Sequence, residues 1–415
     1  MTKKFSSETN LPWWKKGVIY QIYPRSFNDT SGNGIGDLKG ISKKISYLSS
    51  LGIDALWLSP IFTSPMKDMG YDVSNYTDID PLFGNIHDFE RLIEKAKENK
   101  IKVIIDQVLS HSSDAHPFFK LSKSNKNNSK SDWYVWADPK PDGSPPNNWL
   151  SVFGGSAWEW DTGREQYYLH NFLKSQPDFN FHNLEVQKWL LSTVKFWLEK
   201  GVDGFRLDTA NYYFHDKKLR NNPAIKSRAS GKNPYYYQNL KYSINQKDNF
   251  AFLKKLRKLT DQYKETTMIG EISNVELQAK YTANNDKLHM AYSFDLLRDE
   301  FSPKHIRNTV SKFFKETKDG WPTWSFSNHD VVRHLSRWNK TKKDRQKFAK
   351  LTCALLMSLK GTPCIYQGEE LGQTQTKIEF DEIKDPPGKK FWPMDFGRDG
   401  CRTCLLYTSP SPRDP

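Results

Sequence analysis

Short apolar runs, mostly β-branched or aromatic, recur along the chain, and stretches with helical periodicity separate them. The first runs are GVIYQIYP at 17–24, ALWLSP at 55–60 and KVIIDQV at 102–108. Between the last two, DFERLIEKAKENK places Phe89, Leu92, Ile93 and Ala96 on one helical face. EVQKWLLSTVKFWLEKG repeats that pattern and ends at Gly201, a C-terminal stop. Further runs follow: GFRLDT at 204–209, TMIGEI at 267–272, HMAYSF at 289–294, WSFSNHD at 324–330 and TPCIYQGEE at 362–370. Strands alternating with helices predict an α/β fold with a parallel sheet. Eight such units are the number of a closed (β/α)₈ barrel, which carries its functional groups at the C-terminal strand ends. The alternative, an open doubly wound sheet, usually shows a G-x-G-x-x-G after an early strand, and none occurs here.

Two intervals break the rhythm. Residues 111–185 are rich in Asn, Pro and Trp without helical period and read as a subdomain inserted after the third strand. Residues 212–248 form a long excursion after the fourth. The barrel is therefore expected over 1–110 and 186–403, with both excursions on the face where a substrate would bind.

Composition narrows the partners. Aromatics make up 14% of the chain, including 14 Trp, enough for a sizeable core. The formal net charge is +14, but the lysines are scattered and no block of five or six like charges occurs, so a nucleic-acid partner is not expected. No apolar run reaches the roughly 18 residues of a membrane span, and residues 1–14 lack the apolar core of a signal peptide. Of four cysteines, Cys401 and Cys404 form the one C-x-x-C, with no second pair or His beside it. Reduced thiols in a cytoplasmic protein are the expectation.

The strand ends carry the chemistry. Asp106 ends the third strand and His111 lies just beyond; Arg206 and Asp208 end the fourth, Glu271 the fifth, His329 and Asp330 the seventh. Buried strands carry charge at a cost, so four acids and two histidines converging on one barrel mouth point to a site. Two carboxylates facing one bond are what glycoside hydrolysis requires. Asp208 and Arg206, two residues apart, share a strand face, so the guanidinium is expected to keep Asp208 ionised as a nucleophile. Glu271 closes an apolar run, where burial would raise its pKa as a general acid requires.

The strings DQVLSH, GFRLDTAN, IGEI and FSNHD, in this order, resemble the signature regions of the α-amylase superfamily, glycoside hydrolase family 13. QPDFN at 176–180 and the opening WWKKGVIYQIYPRSF are similar to its α-glucosidase and oligo-1,6-glucosidase branch, and the resemblance covers about residues 12–403. It implies a retaining double displacement with Asp208 as nucleophile, Glu271 as acid/base and Asp330 as the third carboxylate. It further implies that Arg206 orients Asp208, that His111 and His329 bind the glucose, and that Asp72 pairs with Arg402 to close the pocket at one sugar. Ser110 stands where the family commonly has Asn. Thr209, after the nucleophile, accompanies α-1,4 preference in this branch, where Val accompanies α-1,6.

DTSGNGIGD at 29–37 alternates the oxygen-bearing Asp29, Ser31, Asn33 and Asp37 with glycines, a pattern suited to a hard cation. The resemblance adds the Ile35 carbonyl and implies structural Ca²⁺ or Mg²⁺ there. The expected function is an exo-acting α-glucosidase hydrolysing α-1,4 linkages of maltose and short malto-oligosaccharides. Alternatives are an oligo-1,6-glucosidase or a sucrose- or trehalose-directed enzyme; a non-enzymatic binding relative would have lost the carboxylates. The partner is a small oligosaccharide, with no nucleic acid and no membrane, and monomer and homodimer stay open. Residues 404–415, CLLYTSPSPRDP, match no part of the family and resemble a translated sequencing adaptor. The expectation is that this tail is foreign. The last barrel helix and the family's C-terminal β-sandwich are then missing, and the 415-residue stretch alone is expected to be unstable.

Overall fold

The computed structural model describes residues 11–225, 233–340 and 344–403; the segment 404–415 lies outside the described residues. Eight parallel strands form the expected barrel: β1 (Ile19–Ile22), β2 (Ala55–Leu58), β3 (Lys102–Gln107), β4 (Gly204–Leu207), β5 (Thr267–Ile272), β6 (Met290–Ser293), β7 (Thr323–Trp324) and β8 (Thr362–Tyr366). Their order around the sheet is β6-β5-β4-β3-β2-β1-β8-β7. A parallel bridge between Ala291 and Pro322 closes the ring. Every residue of β1, β2, β4 and β5 is buried, which is why those runs are continuous rather than alternating, whereas β8 has Pro363 and Ile365 half-buried.

Seven helices pack outside: α1 (Leu38–Ser50), α2 (Ile86–Glu98), α3 (Leu184–Glu199), α4 (Asp248–Thr260), α5 (Val275–Thr282), α6 (Pro303–Glu316) and α7 (Arg345–Ser358). Their starts are written locally. Asp37, Asn85, Asn183 and Ser302 each accept a first-turn N–H. The α2 stripe buries Phe89, Leu92 and Ala96, and Trp197 of α3 stacks on Phe62 at 5.0 Å. After β8 the described chain holds one short α-helix, Pro386–Phe391, and two 3₁₀ turns, Phe380–Glu382 and Asp399–Cys401.

The seventh run departs from its predicted extent. Only Thr323–Trp324 join the sheet, and 325–330 leave it. The reason is local competition for the backbone. Asn328 Oδ1 accepts the Asp330 N–H at 2.9 Å, and Ser327 Oγ accepts the His334 N–H at 2.9 Å. Those bonds turn His329 and Asp330 into the barrel mouth.

Within 111–185 the irregular sequence resolves into a helix, Pro117–Ser124, and a three-stranded antiparallel sheet of Trp136–Ala137, Gln166–Leu169 and Trp158–Asp161 in that order. Strands of two to four residues are too short to show a period. Ala137, Trp158 and Leu169 of these strands join Val135, Trp149 and Ala157 in a separate small core. The excursion after β4 docks here. Asn148 and Asn222 exchange two hydrogen bonds of 2.8 and 2.9 Å, and Trp149 Nε1 donates to the Arg220 carbonyl. Among the described residues no helix is long and apolar enough to cross a membrane.

Candidate active site

The site begins with Arg206, fully buried on β4 and in register with Asp106 on β3. Its Nη1 donates to Asp106 Oδ1 at 2.7 Å and to Asp208 Oδ1 at 2.8 Å; its Nη2 lies 2.7 Å from Glu271 Oε2. One guanidinium thus gathers three carboxylates from β3, β5 and the end of β4. Asp106 is fixed on its far side by Trp57 Nε1 and the Tyr71 hydroxyl, both at 3.1 Å. Thr209 bridges the other two acids: its N–H donates to Glu271 Oε2 at 3.0 Å and its hydroxyl to Asp208 Oδ2 at 3.2 Å. Retaining sites hold their two carboxyls roughly 5–5.5 Å apart, and a guanidinium shared by Asp208 and Glu271 is a means of holding such a pair.

Opposite lies a second centre. Asp330 Oδ1 accepts from Arg402 Nη2 at 3.0 Å and from Arg398 Nη1 at 3.1 Å. Arg398 Nη2 reaches Asp68 at 2.8 Å, and its Nε donates to the fully buried Asp385 at 2.8 Å. His329 stacks on Tyr71 with centroids 5.4 Å apart and meets the Gln21 amide of β1 at 2.7 Å. His111 bonds Ser110 Oγ through Nδ1 at 2.8 Å and faces Phe172.

Burial pushes Asp208 and Glu271 up to about 7 each, against the opposing pull of Arg206. Burial likewise lifts Asp106 to about 6, with Arg206 again opposing. This corrects the expectation that Arg206 would lower Asp208 alone. The arginine serves three acids at once, so its single charge cannot offset the burial of any one. Asp330 goes the other way: burial would raise it, but the guanidiniums of Arg398 and Arg402 on its carboxylate outweigh burial and hold it well below the carboxylate range. Burial also drives His111 down to about 4 and His329 well below its ordinary value, so both imidazoles are neutral at pH 7.

The expected Asp72–Arg402 pair does not form. Asp72 accepts from Ser64 Oγ and from the Lys67 and Asp68 N–H groups at 2.9–3.0 Å, tying the loop after β2. Arg402 gives its Nε to the His329 carbonyl at 2.7 Å and its Nη2 to Asp330. The pair across the mouth is Asp68 with Arg398. Four residues separate Asp68 from Asp72 and also Arg398 from Arg402, so KDMGYD and GRDGCRT each offered two choices. The carboxylate that caps its own loop's donors is the one unavailable for an ion pair. Sequence reasoning also passed over Tyr71, Gln21 and Asp385; an acid in KDPPG and a Gln inside an apolar strand were the available signals.

In the glycine-rich loop, Asp29 accepts the N–H groups of Ser31, Gly32 and Gly34 at 2.7–2.8 Å, and Asn33 accepts that of Ile35. Asp37 accepts from Thr30 and caps α1 at Gly40. Asp29 is held below its ordinary pKa by those bonds, against burial. An all-oxygen set with two carboxylates fits a hard cation in chemistry, though the Asp29, Asn33 and Asp37 side chains already accept hydrogen bonds and Ser31 Oγ donates one to Asp29.

Residues 21–411 match the family model described as Alpha amylase, catalytic domain. A probable alpha-glucosidase of Rhizobium meliloti is 52% identical over 413 residues, 97% of this chain and 75% of that protein. An oligo-1,6-glucosidase of Heyndrickxia coagulans is 41% identical, over 90% of this chain and 69% of its own. The crystal structure of an alpha-glucosyl transfer enzyme superposes with a TM-score of 0.94 at 52% identity, covering 98% of this chain and 79% of that one.

Proposed function

The chain belongs to the α-amylase family of glycoside hydrolases, family 13, and from that premise we propose that it is an exo-acting α-glucosidase releasing terminal α-1,4-linked glucose from maltose and short malto-oligosaccharides. The observation that carries the reading is the Arg206 fork, with Asp208 at 2.8 Å and Glu271 at 2.7 Å on one guanidinium.

The family hydrolyses with retention. In this site Asp208 attacks the anomeric carbon as the bond to the leaving oxygen breaks, and Glu271 delivers its proton to that oxygen. Water then attacks the same carbon, Glu271 takes back a proton, and the ester to Asp208 is cleaved. Burial readies Glu271 to hold a proton near neutrality. Asp330, kept ionised by its arginines, binds ring hydroxyls and favours the positive charge that develops at the anomeric carbon. His111 and His329, both neutral, hold their ring nitrogens on protein partners and line the place of the sugar ring. Asp68 and Arg398, in contact at 2.8 Å, close the mouth beyond the bound glucose; this closure is the basis of exo action.

The α-1,4 preference is supported by the Thr209 hydroxyl, which stands 3.2 Å from Asp208 Oδ2 where the linkage is cut. A structural Ca²⁺ or Mg²⁺ in the loop of Asp29, Ser31, Asn33, Ile35 and Asp37 completes the proposal; it takes no part in the chemistry. A cytoplasmic location agrees with Cys353, Cys364 and Cys401 standing as free thiols. The reaction is tested with p-nitrophenyl α-glucoside: Asp208→Ala and Glu271→Gln should each abolish turnover, and a normal rate in either sinks the assignment. A panel of maltose, isomaltose, sucrose and trehalose tests the linkage; dominant isomaltose cleavage would overturn the α-1,4 reading.

A further inference from the structure

Thr209 is β-branched, yet its φ is +41°, in the left-handed region that such residues avoid. Strain of this kind persists where the surroundings over-determine a residue, and it clusters at functional sites. Here the strained backbone aims the Thr209 N–H at Glu271 and its hydroxyl at Asp208. The same hydroxyl lies 3.1 Å from Ser110 Oγ, and Ser110 Oγ lies 2.8 Å from His111 Nδ1. His111 Nε2 in turn faces the Gln176 amide nitrogen at 3.1 Å, and that nitrogen also donates to Asp68 at 3.0 Å.

We propose that Ser110 is a positioning residue that links His111 to the nucleophile Asp208 through the Thr209 hydroxyl. Proton counting gives the chain its direction. The Gln176 amide donates to His111 Nε2, leaving the proton on Nδ1. Nδ1–H donates to Ser110, Ser110 to Thr209, and Thr209 to Asp208 Oδ2, so three gaps hold three protons. The other tautomer places the proton on Nε2, towards the Tyr71 carbonyl at 3.1 Å. Ser110 then donates to His111, and the single Thr209 proton is divided between Ser110 and Asp208. The two arrangements predict opposite consequences of removing the Ser110 hydroxyl. In the first, Thr209 loses the donor behind it and its bond to the nucleophile weakens. In the second, Thr209 is released to bond the nucleophile more firmly. A side chain in the Asn position of the common motif therefore acts through its neighbour on β4.

The inference rests on Asp208 being the nucleophile, and the experiment separates the two. Ser110→Ala, Thr209→Val and the double variant are compared with the parent on p-nitrophenyl α-glucoside across pH. The groups facing Asp208 are Arg206 on its own strand, Asp106 from β3, Glu271 from β5 and Asp330 from the loop after β7. Burial first keeps the neighbouring tyrosine hydroxyls protonated, so they stay neutral over the range. Ser110→Ala should lower kcat about tenfold with little change in KM, and shift the acidic limb of kcat/KM upwards. The double variant should fall no further than Thr209→Val alone, and Ser110→Thr, which keeps the hydroxyl, should retain most of the rate. An acidic limb that stays in place or moves down, or strictly additive losses, overturns the relay while leaving Asp208 as nucleophile. Full activity in Asp208→Ala would instead remove the premise. A Ser110→Ala protein that melts early while Ser110→Thr melts normally with the low rate also counts against the proposal.

Discussion

Around Arg206, three carboxylates converge on one guanidinium; around Asp330, two guanidiniums converge on one carboxylate. Both centres are buried and both lie at the same barrel mouth. Burial therefore acts alike on each, and the number of cations touching each acid decides the outcome. One shared cation leaves Asp208 and Glu271 raised to about 7. Two cations touch Asp330 and hold it down, although Arg398 is shared with Asp68 and Asp385. The first centre keeps a proton to move, and the second keeps a charge that does not.

Replacing the cation at each centre tests that contrast most severely. Arg206→Lys puts a point charge where a planar fork served three partners. Mutating a single preorganised donor costs about 10²–10³-fold in kcat, and the loss here should reach at least that range with a visibly lower Tm. A kcat within threefold of the parent would show that the fork is not what sets the pair. Arg398→Ala should fall on binding instead. Removing one partner of a buried charge pair costs about 2–5 kcal/mol, a roughly 30-fold or larger rise in the KM for maltose, with a smaller effect on kcat. Equal losses in kcat from both variants would erase the distinction between the centres.

The two centres also differ in how far the sequence disclosed them. Asp106, Arg206, Asp208 and Glu271 sit on or directly after strands, where a charge inside an apolar run stands out and the pleat dictates its face. The barrel was legible for the same reason. Asp68, Tyr71, Arg398 and Asp385 sit on loops, where polar residues are ordinary and backbone turns decide which side chain faces inwards. Asp72 and Arg402 were equally plausible by composition. What separated them was the set of N–H groups that Asp72 already satisfies, a property of loop conformation that no periodicity reports. The insertion at 111–185 hid its strands through their shortness. The raised pKa of Asp208 was hidden because it depends on how many acids share Arg206.

Titration sharpens the comparison further. Hydrolysis requires Asp208 ionised and Glu271 protonated. The coupled pair, held near 7, releases its first proton on the acid side of neutrality and its second on the alkaline side. The kcat/KM profile should be a narrow bell centred near pH 7, falling about tenfold per unit beyond each limb. A flat plateau between pH 5 and 9, each limit about two units from that centre, would contradict the shared-cation account.

Stability supplies a smaller effect with a definite sign. A carboxyl whose folded pKa rises from 3.8 to about 7 costs nothing while protonated in both states, below the unfolded pKa. The cost then accumulates as pH rises from the unfolded value to the folded one and is constant above it. Asp208→Asn should therefore raise Tm by a few degrees at pH 8, and the gap should close near pH 4, as expected of a residue kept for function at the expense of stability. Asp330, held down by its arginines, should behave oppositely, with Asp330→Asn lowering Tm at pH 8.

The smallest effect comes from the two aspartates of KDMGYD. Asp72 holds its loop through Ser64 Oγ and two backbone N–H groups, whereas Asp68 meets Arg398 and Gln176 across the mouth. Asp72→Asn keeps one acceptor oxygen and loses the other. The cost is about 1 kcal/mol of stability, and KM should change less than twofold because the side chain does not face the sugar. Asp68→Asn removes one of the three carboxylates that hold Arg398 in place and should raise KM at least tenfold while Tm barely moves. Thermal melting and maltose kinetics on the two variants decide between them. A large KM change confined to Asp72→Asn would return Asp72 to the role its motif first suggested and remove the Asp68–Arg398 pair from the binding site.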